Sequence, residues 1–247
     1  MNLKYLGVAI RRRFNRTFRL GTVDYSQLGE QMVILNILDR LDKRALDRVY
    51  VDIGAFHPYK GSNTYALYLR NWRGVVVEPN PAKTELFRQI RPLDICLTRA
   101  VIPDAWDVEE VEMLAAGSAD ARESITPTLN KNSHLDKAAA TQSYSAKTIR
   151  ISEVLRQCTD ELGLPSVVSI DIEGLESELV LGVDFEKYPV AILCIEHFLS
   201  EFTRGLSVLE YRSSPMVSYL EKCGYVLVSV CGVSLVFAHK RSYAPYA

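Results

Sequence analysis

Seven short runs of apolar, largely β-branched residues punctuate the chain: "RVYVDIG", "GVVVEP", "DICLTRAVI", "SVVSIDIEG", "VAILCIEH", "YVLVSV" and "VSLVFAHK". Runs that are apolar on both faces are what strands buried between two helix layers require. Between several of them lie segments with apolar residues at helical spacing, "SNTYALYLRNW", "PAKTELFRQI", "ISEVLRQCTDELG" and "SPMVSYLEKCG". Strands alternating with helices predict an α/β fold, a mainly parallel, doubly wound Rossmann-like sheet. The last two runs are separated only by "CG" and its flanking residues, so they are expected to pair as an antiparallel hairpin at one edge.

Within that frame, "VDIGAFHPYKGSNT" (51–64) follows the first predicted strand, where open α/β sheets bind their ligands. Gly54 lets the backbone turn sharply and lets a ligand approach the main chain. A dinucleotide site would carry GxGxxG opening a helix that faces a pyrophosphate. Here Gly54 and Gly61 are too far apart, and Asp52 at the strand end would face a phosphate unfavourably. The loop therefore favours a cationic ligand without phosphates, such as S-adenosylmethionine, with Asp52 accepting from its ammonium group. Glu78 ends the second strand, where a carboxylate can take two hydrogen bonds from ribose hydroxyls.

Several of these segments, "YSQLGEQMVI", "YVDIGAFHPYKGSNTYALY", "WRGVVVEPNP", "SIDIEGLESELVLGVDF" and "ILCIEH", together resemble the FkbM family of S-adenosylmethionine-dependent methyltransferases, from about Tyr25 to about Lys240. The resemblance implies a class I methyltransferase fold, the Rossmann-like sheet with an antiparallel edge strand, and methyl transfer to oxygen, often on sugar or polyketide hydroxyls. It places Asp52, Gly54 and Glu78 at the cofactor, with Ser62, Asn63 and Thr64 lining the same loop. Pro58 stands where the common methyltransferase loop has a glycine, and Gln31 stands where the family often has an acid. The chain divides, on this reading, into a basic segment (1–24) and one methyltransferase domain (25–247).

The chemistry is expected from the strand ends that face the methyl group: Asp171 and Glu173 in "SIDIEG", Glu196 and His197 in "ILCIEH". A sugar hydroxyl is a poor nucleophile at neutral pH, which makes a base or a metal useful. In one arrangement His197, with an ordinary pKa of about 6.5, or Asp171 takes the hydroxyl proton. In the other, Asp171, Glu196 and His197, or Glu173, hold Mg²⁺, which orients a substrate oxygen and lowers its pKa. The placement of these carboxylates resembles the metal site of catechol-type O-methyltransferases. Asp171 could instead cap the helix that begins near Glu176. His57 and His134 read as structural or exposed, and His239, beside Lys240 and Arg241, as a solvated end.

Residues 104–147 break the pattern. An acidic, strand-forming "WDVEEVEML" precedes a stretch of small and polar residues without core periodicity, read either as an excursion over the site that sets the acceptor or as a passive surface loop. The acceptor itself is expected to be a small molecule or saccharide hydroxyl. A formal net charge of −1 gives no reason to expect nucleic acid. The five cysteines show no CxxC spacing, so a reduced, cytoplasmic chain is expected. The N-terminus alone departs from this balance: "MNLKYLGVAIRRRFNRTFRL" interleaves basic and apolar residues, too short a run to span a bilayer. A basic amphipathic helix there could cap the domain, or make peripheral contact with an anionic inner membrane surface. A non-catalytic Rossmann-like ligand-binding module is the second reading of the whole, and the missing GxGxxG argues against a nicotinamide-dependent oxidoreductase.

Overall fold

The computed structural model describes residues 23–41, 46–115, 123–125, 142–197 and 211–242. Residues 1–22 of the basic segment (1–24) lie outside the described residues, as do parts of the 104–147 excursion. Among the described residues no helix is long and apolar enough to cross a membrane.

Helix α1 (Glu30–Arg40) leads into β1 (Val49–Ile53), α2 (Tyr65–Leu69), β2 (Arg73–Val77), α3 (Pro81–Ile90) and β3 (Ile95–Leu97). After an intervening second sheet come α4 (Ile151–Leu162), β8 (Val167–Ile170), α5 (Glu176–Leu181), β9 (Ile192–Glu196), α6 (Pro215–Lys222), β10 (Tyr225–Cys231) and β11 (Ser234–His239). The main sheet runs β10-β11-β9-β8-β1-β2-β3; β11 is antiparallel to both of its neighbours, β10 and β9, and the five strands from β9 to β3 pair in parallel with one another. This is the expected α/β arrangement, with the antiparallel hairpin at one edge.

The central strands are buried from end to end because both faces are covered. On one face α4, α5 and α6 bring Val154, Leu155, Leu179, Val217 and Leu220 against Val51, Val75 and Ile195. On the other, α1, α2 and α3 bring Ile34, Leu38, Leu67 and Phe87 against Tyr50, Val76 and Val236. Each such side chain contributes about 1.5–3 kcal/mol when fully buried. Local chemistry fixes the helix starts. Asn80 caps α3, its Oδ1 accepting from the amides of Ala82 (2.9 Å) and Lys83 (3.4 Å) ahead of Pro81. Strand order reverses between β1 and β8, so the carboxyl ends of these two strands open a crevice.

Three expectations are corrected here. The run "DICLTRAVI" is not one strand: it ends as β3 at Leu97 and resumes as β4 (Ala100–Ile102) in a second sheet, β4-β7-β5-β6, where β4 pairs in parallel with β7. The crossing falls at Thr98 and Arg99, between a half-buried β3 and a buried β4, and two polar residues within a run do not by themselves distinguish a crossing from one continuous strand. The excursion also holds more order than its polarity suggests. Besides β5 (Glu110–Ala115), it contains β6 (Glu123–Ile125) and much of β7 (Gln142–Arg150), which pairs with β5 from Ala115↔Gln142 to Glu110↔Lys147. Of β7 only Ala146 is buried, so its sequence shows no core periodicity. His239 is likewise buried rather than solvated: its ring meets Tyr225 edge-on at 4.8 Å and its Nε2 lies 3.2 Å from the Cys223 carbonyl oxygen.

Candidate active site

A cavity of about 270 Å³ occupies the crevice. It lies beyond β1, β2, β8 and β9, with Met113 of β5 and Ile125 of β6 closing one side. Gly54 forms its floor and has φ +72°; a Cβ there would stand 1.6 Å from the Asp171 carbonyl oxygen. The strand ends touch at this point: Asp171 donates its amide to Ile53 O (3.0 Å), and Gly54 donates to Val77 O (3.0 Å). The lining carries Asp52, Glu78, Asp171, Glu173 and Glu196 against Lys83 and Arg99. That acidic balance suits a cationic ligand.

The side chains expected at the cofactor fall into two groups. Asp52, Gly54, Ser62, Asn63 and Glu78 line the cavity. Glu78 holds the loop while facing it, accepting from the amides of Phe56 (3.0 Å) and Asn80 (2.9 Å). Asn63 is fixed from behind, its Nδ2 donating to Ser169 Oγ at 3.1 Å. Thr64 is the exception: it is fully buried outside the lining, its hydroxyl donating to Asp52. Thr64 thus supports Asp52 rather than lining the cavity. Gln31, at the position where an acid was expected, is wholly buried and ties the chain before α1 together, donating to Val23 O (2.8 Å) and accepting from the Tyr25 amide (3.2 Å).

At the other end of the cavity Asp171, Glu173 and Glu196 converge, with one oxygen from each lying within 4.8 Å of the others. Glu196 Oε2 is buried and has no hydrogen-bond partner among the described residues. Burial first, then the Asp171 carboxylate that shares a hydrogen bond with it, and then Glu173, push the Glu196 carboxyl up to about 11. Crowded carboxylates cannot all ionise without a cation.

His197 does not join this cluster. Its amide donates to Val233 O (2.8 Å), and its ring lies against Ser214 Oγ (Nε2, 2.8 Å) and Ser177 Oγ (Nδ1, 3.4 Å), outside the cavity lining. Successive residues of an extended chain face opposite ways, so Glu196 and His197 cannot both enter one site. Burial also lowers the His197 pKa. Among the described residues His197 thus stands apart from both the cavity lining and the carboxylate cluster it was expected to join.

A model of the methyltransferase FkbM domain family matches residues 52–227. The chain belongs to that family. This FkbM methyltransferase is accordingly an S-adenosylmethionine-dependent enzyme with a class I methyltransferase fold. No curated protein matches it significantly. Among solved structures, one described as the O-methyltransferase from Bacillus cereus in complex with SAH is similar over 96% of this chain and 90% of its own, at 10% identity and a TM-score of 0.39.

Further residues shape the FkbM methyltransferase site: Lys83 and Glu176 were not expected there from the sequence, whereas Gln27 belongs to a stretch, Tyr25 to Glu30, that could either fold over the cofactor or simply cap the domain. Lys83 places its Nζ 4.4 Å over the Phe56 ring, and Phe56 itself sits at φ +53°. Gln27 lines the cavity from the segment before α1, which docks through Ser62 N donating to Tyr25 O (2.9 Å). Glu176, rather than Asp171, organises the loop before α5. It accepts from the amides of Ile172 (2.9 Å) and Gly174 (3.0 and 2.9 Å), and burial raises its carboxyl to about 7 against the pull of those amides. Glu176→Ala would leave both amides unsatisfied beside Glu173, which is held at φ +58°. A loss of about 1–3 kcal/mol is expected, read as a fall of a few degrees in Tm by calorimetry; an unchanged Tm would contradict this role.

Proposed function

We propose that this FkbM methyltransferase methylates a hydroxyl oxygen of a saccharide or glycosylated natural product, with a divalent cation held by Asp171, Glu173 and Glu196. The convergence of those three carboxylates at the cavity edge carries the reading. When bound, S-adenosylmethionine supplies an electrophilic methyl group, its C–S bond breaking as the new C–O bond forms. Asp52, Ser62 and Asn63 are placed to hold its amino-acid end, and Glu78 to accept from its ribose hydroxyls. The net acidity of the lining supports a cationic cofactor.

All three oxygen donors suit a hard cation such as Mg²⁺, which supplies a Lewis acid that lowers the pKa of an acceptor hydroxyl. The buried Glu196 Oε2, which has no hydrogen-bond partner among the described residues, is an oxygen that a cation could take up. Without a cation, Glu196 is protonated beside Asp171 and cannot take a second proton, so Asp171 and Glu173 would receive the one the acceptor gives up. Met113 and Ile125 present an apolar wall to the acceptor, which suits the face of a sugar ring or an aglycone.

Incubation with methyl-labelled S-adenosylmethionine and a panel of hydroxylated saccharides tests this. Label is expected on oxygen, with the rate falling at least about tenfold after exhaustive chelation and returning with Mg²⁺. A full rate after chelation removes the cation, and label confined to nitrogen or sulfur acceptors overturns the hydroxyl.

A further inference from the structure

Arg91, the residue that ends α3, is completely buried and lines no part of the cavity. Its donors converge on the cofactor loop from beneath. Nε donates to Asp94 Oδ2 (2.8 Å), and Nη2 to Tyr50 Oη (2.8 Å) and Thr64 Oγ1 (2.9 Å). Nη1 donates to the Pro58 carbonyl (3.3 Å) and Ser62 Oγ (3.5 Å), and lies 3.9 Å from Asp52 Oδ2. The Thr64 hydroxyl, held by Arg91, donates to the same Asp52 oxygen. Aromatic rings of Tyr50, Tyr68 and Phe87 surround the guanidinium within 5.5 Å of their centroids.

A buried ion pair is seldom the most stable way to fill such a space, since a well-packed apolar side chain often does as well or better. The helix end could be held to the sheet without a charge. What an apolar residue could not do is grip both limbs of the 54–64 loop and the acid at the end of β1 at once. Lysine could not do it either, because a single ammonium lacks the planar fork of donors.

We infer that Arg91 is a positioning residue for the cofactor: it sets the path of the loop through the Pro58 carbonyl and Ser62, and through Thr64 it orients Asp52 toward the cavity. Pro58 then needs no glycine, because its carbonyl is anchored from below. The charged and titratable groups around Asp52 are Arg91, Asp94 and Asp171. Burial raises the Asp52 carboxyl, while Arg91 and the Thr64 hydroxyl pull it back. Removing either of these two partners therefore raises it further and makes cofactor binding more sensitive to acid.

The inference rests on the cavity being the S-adenosylmethionine site, and the test separates the two. Calorimetric titration with S-adenosylhomocysteine from pH 5.5 to 8.5 would compare wild type, Arg91→Lys, Thr64→Val and Thr64→Val with Asp52→Asn. Thr64→Val keeps the side-chain shape and the Arg91 contacts to Asp94 and Tyr50, so its fold is expected to survive by circular dichroism. Affinity is expected to fall about tenfold in Thr64→Val and more in Arg91→Lys, with the acid limb of the binding profile displaced upward by about one pH unit. The displacement should vanish in the Asp52→Asn background. Folded Thr64→Val with wild-type affinity and profile overturns the inference, even if Arg91→Lys fails to fold. Absence of binding by wild type would instead remove the site assignment, and this inference with it.

Discussion

Gly54→Ala is expected to abolish binding of S-adenosylhomocysteine and to lower stability by several kcal/mol. Two independent penalties act at this position. The left-handed conformation at φ +72° costs a residue with a Cβ about 1–2 kcal/mol. The new methyl would also lie 1.6 Å from the Asp171 carbonyl oxygen, far inside contact distance, and its obstacle is backbone rather than a flexible side chain. Relief requires the ends of β1 and β8 to separate, which breaks the Asp171 N to Ile53 O bond and moves Asp171 with it. The floor of the cavity and the carboxylate cluster are thus disturbed by one methyl group. Calorimetry should show affinity reduced at least about a hundredfold, equivalent to about 2.7 kcal/mol, and thermal melting should show the stability loss. Wild-type affinity in a folded Gly54→Ala protein would mean that the ends of these strands yield more readily than their hydrogen bonding indicates.

The second large effect concerns Glu196. Its carboxyl, raised to about 11, keeps a proton in the folded chain that the unfolded chain releases near its ordinary value of 4.5. The folded state therefore binds more protons between these limits, and without a cation the contribution of this group to stability declines as pH rises from about 4.5 towards 11. A divalent cation has to displace that proton. Mg²⁺ affinity should accordingly climb with pH, by up to about tenfold per unit between pH 6 and 9, with proton release detectable as a dependence of the binding heat on buffer ionisation. Glu196→Gln retains the shape and a hydrogen bond to Asp171 but has no proton to lose. It should weaken Mg²⁺ binding by about one to two orders of magnitude and flatten the pH dependence. A wild-type affinity that does not vary with pH would separate Glu196 from the cation.

What the sequence disclosed follows from which surfaces are shared. "RVYVDIG" and "GVVVEP" could be read as central strands because both of their faces are buried, and the acids that end them, Asp52 and Glu78, reach the cavity. Asp171, Glu173 and Glu196 were legible for the same reason, since any residue at a carboxyl strand end of such a sheet is near the crevice. The next residue along was not. His197 differs from Glu196 by one step of an extended chain, and that step decides between the cavity and the serines behind it. Polar strands such as β7 left no periodic trace because one buried alanine suffices to seat it. Arg91 was the least visible of all: in "LFRQIRP" it looks like an ordinary cation at a helix end, and only the three-dimensional arrangement of Tyr50, Thr64 and Asp94 shows it to be enclosed.

The pairing of Ala115 with Gln142 has a further consequence. On its other side Ala115 faces Glu123, so the chain leaves β5 and re-enters the second sheet as β6 between residues that face one another. Closing a stretch of chain between such residues costs only logarithmically more as it lengthens, about 0.6 kcal/mol for each doubling. Insertions and deletions there can accumulate with little effect on the sheet, while the crevice between β1 and β8 tolerates almost none. Descendants of one ancestral enzyme could in this way diverge in what they methylate and remain uniform in how they hold the methyl donor.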